Sequence, residues 1–302
     1  MSDPFELGVL YTEHRAAAAR TPLASLWSYE SSERSCGSLD PRHQYWLHRS
    51  DPLLNTILPG TLVSIVINLG DRWATGRSLP ASSLIPPLSV FGPFTRPQFL
   101  RVGRHVRALG VVLPSLLTRD VFGVPAPDLV NRIIALDDVW PRDEVDRLHG
   151  ALVDRPLPDG LSIVRDSLLR RLHPAAHLPT IERAAVRLLT TRRGSVSIDA
   201  ISEHCGVSRQ WLGRRFGAAT GVPPKLFARI VRFQRLVHSL LATDVSGWAG
   251  VAAEAGFYDQ AHMINEFRGF AGAPPTTFFQ PHDDTIAPER IQVRGRPSEW
   301  LR

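Results

Sequence analysis

The chain has 302 residues, 43% hydrophobic and 21% charged, enough apolar material for roughly two cored domains and too much for global disorder. Its longest apolar run, Thr61 to Leu69, is too short to span a bilayer, and the N-terminus has no signal-peptide pattern. Two cysteines, Cys36 and Cys205, can build neither a disulfide framework nor a four-thiolate zinc site, so a reduced, cytoplasmic protein is expected.

The net charge of +6 is unevenly spread. Residues 180–280 hold 12 basic against 7 acidic side chains, whereas the flanking segments are almost balanced, so the basic block is where a polyanion would bind. Lys225 is the only lysine against 34 arginines, a skew that points to a G+C-rich coding sequence rather than to phosphate binding.

Residues 1–153 read as a β-rich domain. Short β-type runs such as Thr61–Asn68 are broken by LPG at 58–60, IPP at 85–87 and GPFTRP at 92–97. Towards its end the apolar spacing turns helical, with Leu116, Leu117, Val121 and Phe122, then Leu129, Ile133 and Ile134, and LDDVW at 136–140 reads as a loop. Residues 154–180 read as a linker, with a short amphipathic helix from Leu161 to Leu172 between the Pro-rich DRPLPDG and HPAAHLPT. Residues 181–280 read as almost pure helix, and 281–302 as a polar tail.

The helical block contains a repeat. At an offset of 51 residues, Ser208 pairs with Asp259, Leu212 with Met263, Phe216 with Phe267, Gly221 with Gly272, Pro223-Pro224 with Pro274-Pro275 and Phe227 with Phe278. Upstream the offset is 50, pairing Ile201 with Val251, Cys205 with Ala255 and Gly206 with Gly256, so the second copy has one extra residue between its helices. Each copy reads as a short helix (Ile198 to Cys205; Trp248 to Ala255), a Gly suited to a left-handed C-cap, an apolar residue, an N-capping Ser208 or Asp259, and a second helix closed by Phe216 or Phe267. That is helix-turn-helix grammar, written twice and joined by a long helix from Pro224 to Leu241. The fold class expected is α+β: a β-rich N-terminal regulatory domain followed by an all-α double helix-turn-helix DNA-binding domain.

The segments SIDAISEHCGVSRQWLGRRF, TGVPPKLF and AGFYDQAHMINEFRGFAGAPPTTFF, within Ile198–Phe279, resemble the DNA-binding domain of AraC/XylS-type bacterial transcription regulators. The resemblance implies two recognition helices entering successive major grooves, about 34 Å apart, on one face of promoter DNA. The N-terminal segments LPGTLVSIVINLGD, FGPFTRP and LGVVLPSLLTRDVFGVPAPDLVNRIIALDDVW resemble a domain found upstream in a subset of that family, which implies a sensing or dimerising module. Homodimerisation, a small-molecule effector and, for an activator, contact with RNA polymerase at the nucleoid follow from the same resemblance.

On the first recognition helix Leu212 and Phe216 point inward, leaving Arg209, Gln210, Gly213 and Arg214 outward; on the second the equivalents are Gln260, Ala261, Ile264 and Asn265. Arg pairs bidentately with guanine and Gln or Asn with adenine, so Arg209, Gln210, Arg214, Gln260 and Asn265 are the expected base readers. Gly213 and Asn265 depart from the family, which usually carries a longer reading side chain at the first position and often Arg at the second. Arg215, Lys225, Arg229, His262 and Arg268 are the expected phosphate contacts. Trp27, Tyr29, Tyr45, Trp46 and Trp73 could wall an apolar effector pocket, or simply pack a core. No phosphate loop, metal spacing or nucleophilic triad is visible, so no catalytic residue, metal or cofactor is expected. The alternative from another class is a DNA-associated enzyme or a redox or alkyl sensor using Cys36.

Overall fold

The computed structural model describes residues 12–14, 25–31, 46–48, 54–76, 82–172, 180–242, 252 and 255–278. The N-terminal half is built of two antiparallel sheets. One has six strands in the order β1 (Thr12–His14), β2 (Ser25–Ser31), β10 (Val106–Pro114), β5 (Leu62–Asn68), β8 (Leu88–Phe91) and β11 (Ile133–Ala135). The other runs β3 (Trp46–His48), β4 (Leu54–Ile57), β9 (Gln98–Arg101), β6 (Ala74–Thr75) and β7 (Ser83–Leu84).

Strand β5 is buried on both faces, and its alternation decides which core each residue joins. Val63, Ile65 and Ile67 enter one cluster with Leu109, Val111 and Leu113 of β10. Val66 enters the other, with Ile57, Trp73, Phe91 and Leu100. The first cluster takes Val121 and Phe122 from α1 (Thr118–Phe122) and is closed by α2 (Arg142–Leu152) and α3 (Leu157–Arg171), through Val145, Leu148, Leu161, Val164 and Leu168. Trp140 is buried and donates from its indole nitrogen to the Val121 carbonyl at 2.9 Å, while the Arg171 guanidinium stacks on its ring at 4.1 Å.

Three local expectations change. The helical spacing through Leu129, Ile133 and Ile134 resolves into a 3-10 turn, Ala126–Leu129, followed by strand β11 paired with β8 in the register Ile134↔Val90. A run of three apolar positions fits either period, and here pairing along a sheet edge decided it. LDDVW begins with a 3-10 turn, Leu136–Asp138, rather than a plain loop. The helix expected from 161 to 172 begins at Leu157, because Pro158 fits the first turn of a helix without strain. It packs against β2 and β10, so the segment read as a linker carries part of the N-terminal core.

The C-terminal half is helical: α4 (Thr180–Thr191), α5 (Ile198–His204), α6 (Arg209–Thr220), α7 (Pro224–Ala242), α8 (Gln260–Ala271) and α9 (Pro275–Phe278). The helix expected from Trp248 to Ala255 lies almost wholly outside the described residues, although Ala252 and Ala255 are buried. Two cores form here. One gathers Ala185, Leu189, Ile201, Leu212, Phe216 and Phe227; the other gathers Ile230, Phe233, Val237, Phe257, Met263, Phe267 and Phe270. Helix α7 contributes to both.

Each of these cores also receives a residue from the N-terminal half. Leu58, fully buried, belongs to the second core, and next to it the Pro59 carbonyl accepts from Gln234 Nε2 at 3.3 Å. Leu116 belongs to the first core, and the Ala126–Leu129 turn packs on α6. The β-rich half is thus docked against both helical units.

Candidate nucleic-acid interface

The two helix-turn-helix corners are built alike. Val207 N–H donates to the Ser202 carbonyl at 3.0 Å and Phe257 N–H to the Ala252 carbonyl at 2.9 Å, so both chains leave the first helix by the same route. Gly206 and Gly256 lie at φ +66° and +83°, the left-handed region that lets the helix end abruptly. The next helix is capped as expected: Ser208 Oγ accepts from Trp211 N at 3.2 Å, and Asp259 Oδ1 accepts from His262 N at 2.7 Å.

Helices α6 and α8, twelve residues each, bury one stripe and expose most of the positions expected outward. Leu212, Phe216 and Thr220 are buried on α6, and Met263, Phe267 and Phe270 on α8. Arg209, Gln210 and Arg214 are exposed, as are Gln260, Ala261 and Asn265. Arg209 lies 3.3 Å from Asp199 in a pair exposed on both sides, which solvent weakens and a phosphate or base could replace. Gly213 is half-buried, yet a Cβ there would meet nothing within 4 Å, so its lack of a side chain leaves a gap on the outward face of α6. Ile264, expected outward, is half-buried and packs on the second core. The exposed face of α8 is therefore narrower than the sequence suggests.

The expected phosphate contacts divide. Lys225, His262 and Arg268 are exposed, His262 with its ring edge-on to Phe257 at 5.5 Å. Arg215 donates from Nε to Glu182 of α4 at 2.9 Å; the carboxylate is almost fully buried and the guanidinium about half exposed. Arg229 of α7 grips Glu266 of α8 with Nε at 2.9 Å and Nη2 at 2.8 Å, and these bonds push its pKa up. Neither glutamate was picked out from the sequence. The signal was present, since Arg215 and Glu266 occupy equivalent positions at offset 51 with opposite charge. Each recognition helix is tied by that position to a neighbouring helix, with the polarity reversed between copies.

This pairing changes what Arg229→Ala should do. It strands Glu266, whose side chain is 14% exposed, without its cation. The expected loss is about 1–2 kcal/mol of stability, less than for a fully buried pair because the guanidinium is 40% exposed. Denaturant unfolding of Arg229→Ala beside Arg268→Ala checks this, since Arg268 should cost about 0.5 kcal/mol or less. Equal stabilities would mean the pair contributes nothing.

Of the aromatic residues considered for an effector pocket, Trp73 is 1% exposed in the core between the two sheets. Tyr45 and the side chains of Trp27, Tyr29 and Trp46 lie outside the described residues, as does Cys36. Cys205 is half-buried and burial pushes its thiol pKa up, which keeps it protonated and a poor nucleophile. Among the described residues no group of three or more His, Cys, Asp or Glu could hold a metal, and no helix is long and apolar enough to cross a membrane.

Comparison with known proteins matches residues 201–281 to a family described as "Helix-turn-helix domain". Among solved structures, the C-terminal domain of AraT, a response regulator from Geobacillus stearothermophilus, is 17% identical; the match covers 38% of this chain and 97% of that one, with a TM-score of 0.33. ToxT from Vibrio cholerae is 12% identical over 78% of this chain and 95% of its own, with a TM-score of 0.42. ToxT with an unsaturated fatty acid bound is 10% identical over 74% and 92%, with a TM-score of 0.40. No curated protein matches. Two capped corners, two helices with matching exposed faces and the family match over 201–281 lead to one conclusion: residues 201–281 form a helix-turn-helix domain, the DNA-binding module of a transcription regulator.

Proposed function

We propose that the regulator reads a bipartite duplex site, with α6 and α8 in successive major grooves about 34 Å apart. Arg209, Gln210 and Arg214 read bases in one groove, and Gln260 and Asn265 read them in the next. Lys225, His262, Arg268 and the exposed edges of Arg215 and Arg229 hold the phosphates. The observation that carries this reading is the matched pair of helices, each burying one stripe and exposing the assigned readers on the other.

The chain works by binding rather than by catalysis, in the bacterial cytoplasm at the nucleoid, and as an activator it would also touch RNA polymerase. The N-terminal half serves as the sensing or dimerising module. Its contacts at Leu58 and at the Ala126–Leu129 turn give a small effector, bound among aromatic side chains of that half, a route to both DNA-reading units.

Selection of the full chain against random duplex DNA, read by sequencing at near-physiological salt, tests the reading. Two enriched blocks about one helical turn apart are expected; no enrichment, with and without cell extract as a source of effector, would reject it. On the selected duplex Arg214→Ala should weaken binding about tenfold and relax one base position, with little change on random DNA. Equal losses on both duplexes would move Arg214 from the base readers to the phosphate contacts.

A further inference from the structure

The second corner holds one residue more than the first, and the backbone identifies it. Phe257 is the counterpart of Val207, since both donate to the carbonyl five residues back, and Asp259 is the counterpart of Ser208, since both cap the recognition helix. The extra residue between them is Tyr258. It is 93% exposed, well above the other exposed large apolar side chains among the described residues, Leu84 at 64%, Val153 at 41% and Leu169 at 38%. None of the described residues gives its hydroxyl a hydrogen bond. Its neighbours are fixed, Phe257 in the core and Asp259 by its cap, so Tyr258 is held out from the turn rather than carried on a loose loop.

Its position gives that exposure a use. A recognition helix enters the groove by its N-terminal end, with the turn before it facing the sugar-phosphate rim. On α6 the first two turns carry Arg209, Arg214 and Arg215. On α8 the stretch Gln260–Phe267 carries no arginine or lysine, and its one carboxylate, Glu266, is engaged by Arg229. At its leading end the second unit thus has His262 as its one basic side chain, against three arginines in the first. A tyrosine offers a neutral substitute, with a phenolic O–H to donate and a ring to lie on a sugar.

We propose that Tyr258 is a DNA contact of the second unit, its hydroxyl donating to a phosphate oxygen at the edge of the groove that α8 enters. The assignment rests on the DNA-binding reading above and adds to it a backbone anchor that brings no charge. Replacing a cationic contact flattens the dependence of affinity on salt, because one fewer counterion is released. Losing a neutral donor weakens binding and leaves that slope alone.

The test measures affinity of the full chain, wild type and Tyr258→Phe, for the selected duplex and for a random duplex across a salt series, with Arg268→Ala and Tyr258→Ala alongside. Tyr258→Phe should bind both duplexes about three- to tenfold more weakly, as for the loss of one solvent-exposed hydrogen bond, with an unchanged salt slope and unchanged thermal unfolding. Tyr258→Ala should lose more, because the ring goes too, and Arg268→Ala should reduce the slope. If Tyr258→Phe binds as wild type does, the contact does not exist. A loss confined to the selected duplex, or a changed slope, overturns the phosphate assignment. A wild-type chain that binds neither duplex rejects the DNA-binding reading itself, an outcome distinct from the others.

Discussion

Phe267→Ala should cost about 3–5 kcal/mol and disable the second DNA-reading unit while leaving the first folded. The ring is fully buried and meets Phe233 at 5.4 Å and Phe278 at 5.4 Å between centroids, so its loss opens a cavity where α7, α8 and α9 meet. Those helices, α7, α8 and α9, cannot all close on the gap, because α7 is also committed to the first core through Phe227 and Ala228. The cost should therefore lie near the top of the range. Two measurements check it. Denaturant unfolding should separate into two transitions, and selection on random duplex should return a single block in place of two. A single transition with both blocks retained would mean that the halves of the helical domain are not the independent readers proposed.

Gly92→Ala should be nearly as damaging, for a different reason. A Cβ at Gly92 would sit 1.7 Å from the Leu129 carbonyl oxygen and 2.6 Å from its carbon. These are backbone atoms and cannot rotate aside. The segment is also pinned, since Gly92 N–H donates to the Arg132 carbonyl at 3.0 Å and β8 pairs with β11 just beyond. Overpacking a core costs about 1–3 kcal/mol when side chains can yield, and with only backbone to move about 3 kcal/mol or more is expected. The displacement would reach the DNA-reading half, because Leu129 ends the turn that packs on α6. Gly92→Ala should thus lower the thermal stability of the N-terminal half and alter affinity for the selected duplex, although residue 92 is on no reading face. Wild-type affinity in a destabilised variant would show that the docking of the turn on α6 is passive.

The regularities visible in the sequence were those with a short range. An N-cap needs an oxygen placed three residues before the amide it accepts from, and Ser208 and Asp259 meet that condition by position alone. Gly206 and Gly256 mark left-handed helix ends for the same local reason, and the spacing of Leu212 and Phe216 or Met263 and Phe267 fixes which stripe is buried. The duplication made these signals legible twice, so the double helix-turn-helix could be derived without coordinates.

Tertiary structure decided whatever depended on residues far apart in the chain. Ile133–Ala135 became a strand because β8 offered an open edge, and Leu157–Arg171 joined the N-terminal core because β2 and β10 lay beneath it. Arg229 looked like any other arginine on an exposed helix until Glu266 arrived from 37 residues away. Pro59 and Gln234 meet across 175 residues of sequence. Helical periodicity and capping are written in spacings of three and four residues, which the sequence by itself specifies. Charge pairing, sheet edges and the docking of one half on the other depend on which surfaces folding brings together, and local spacing carries no record of that.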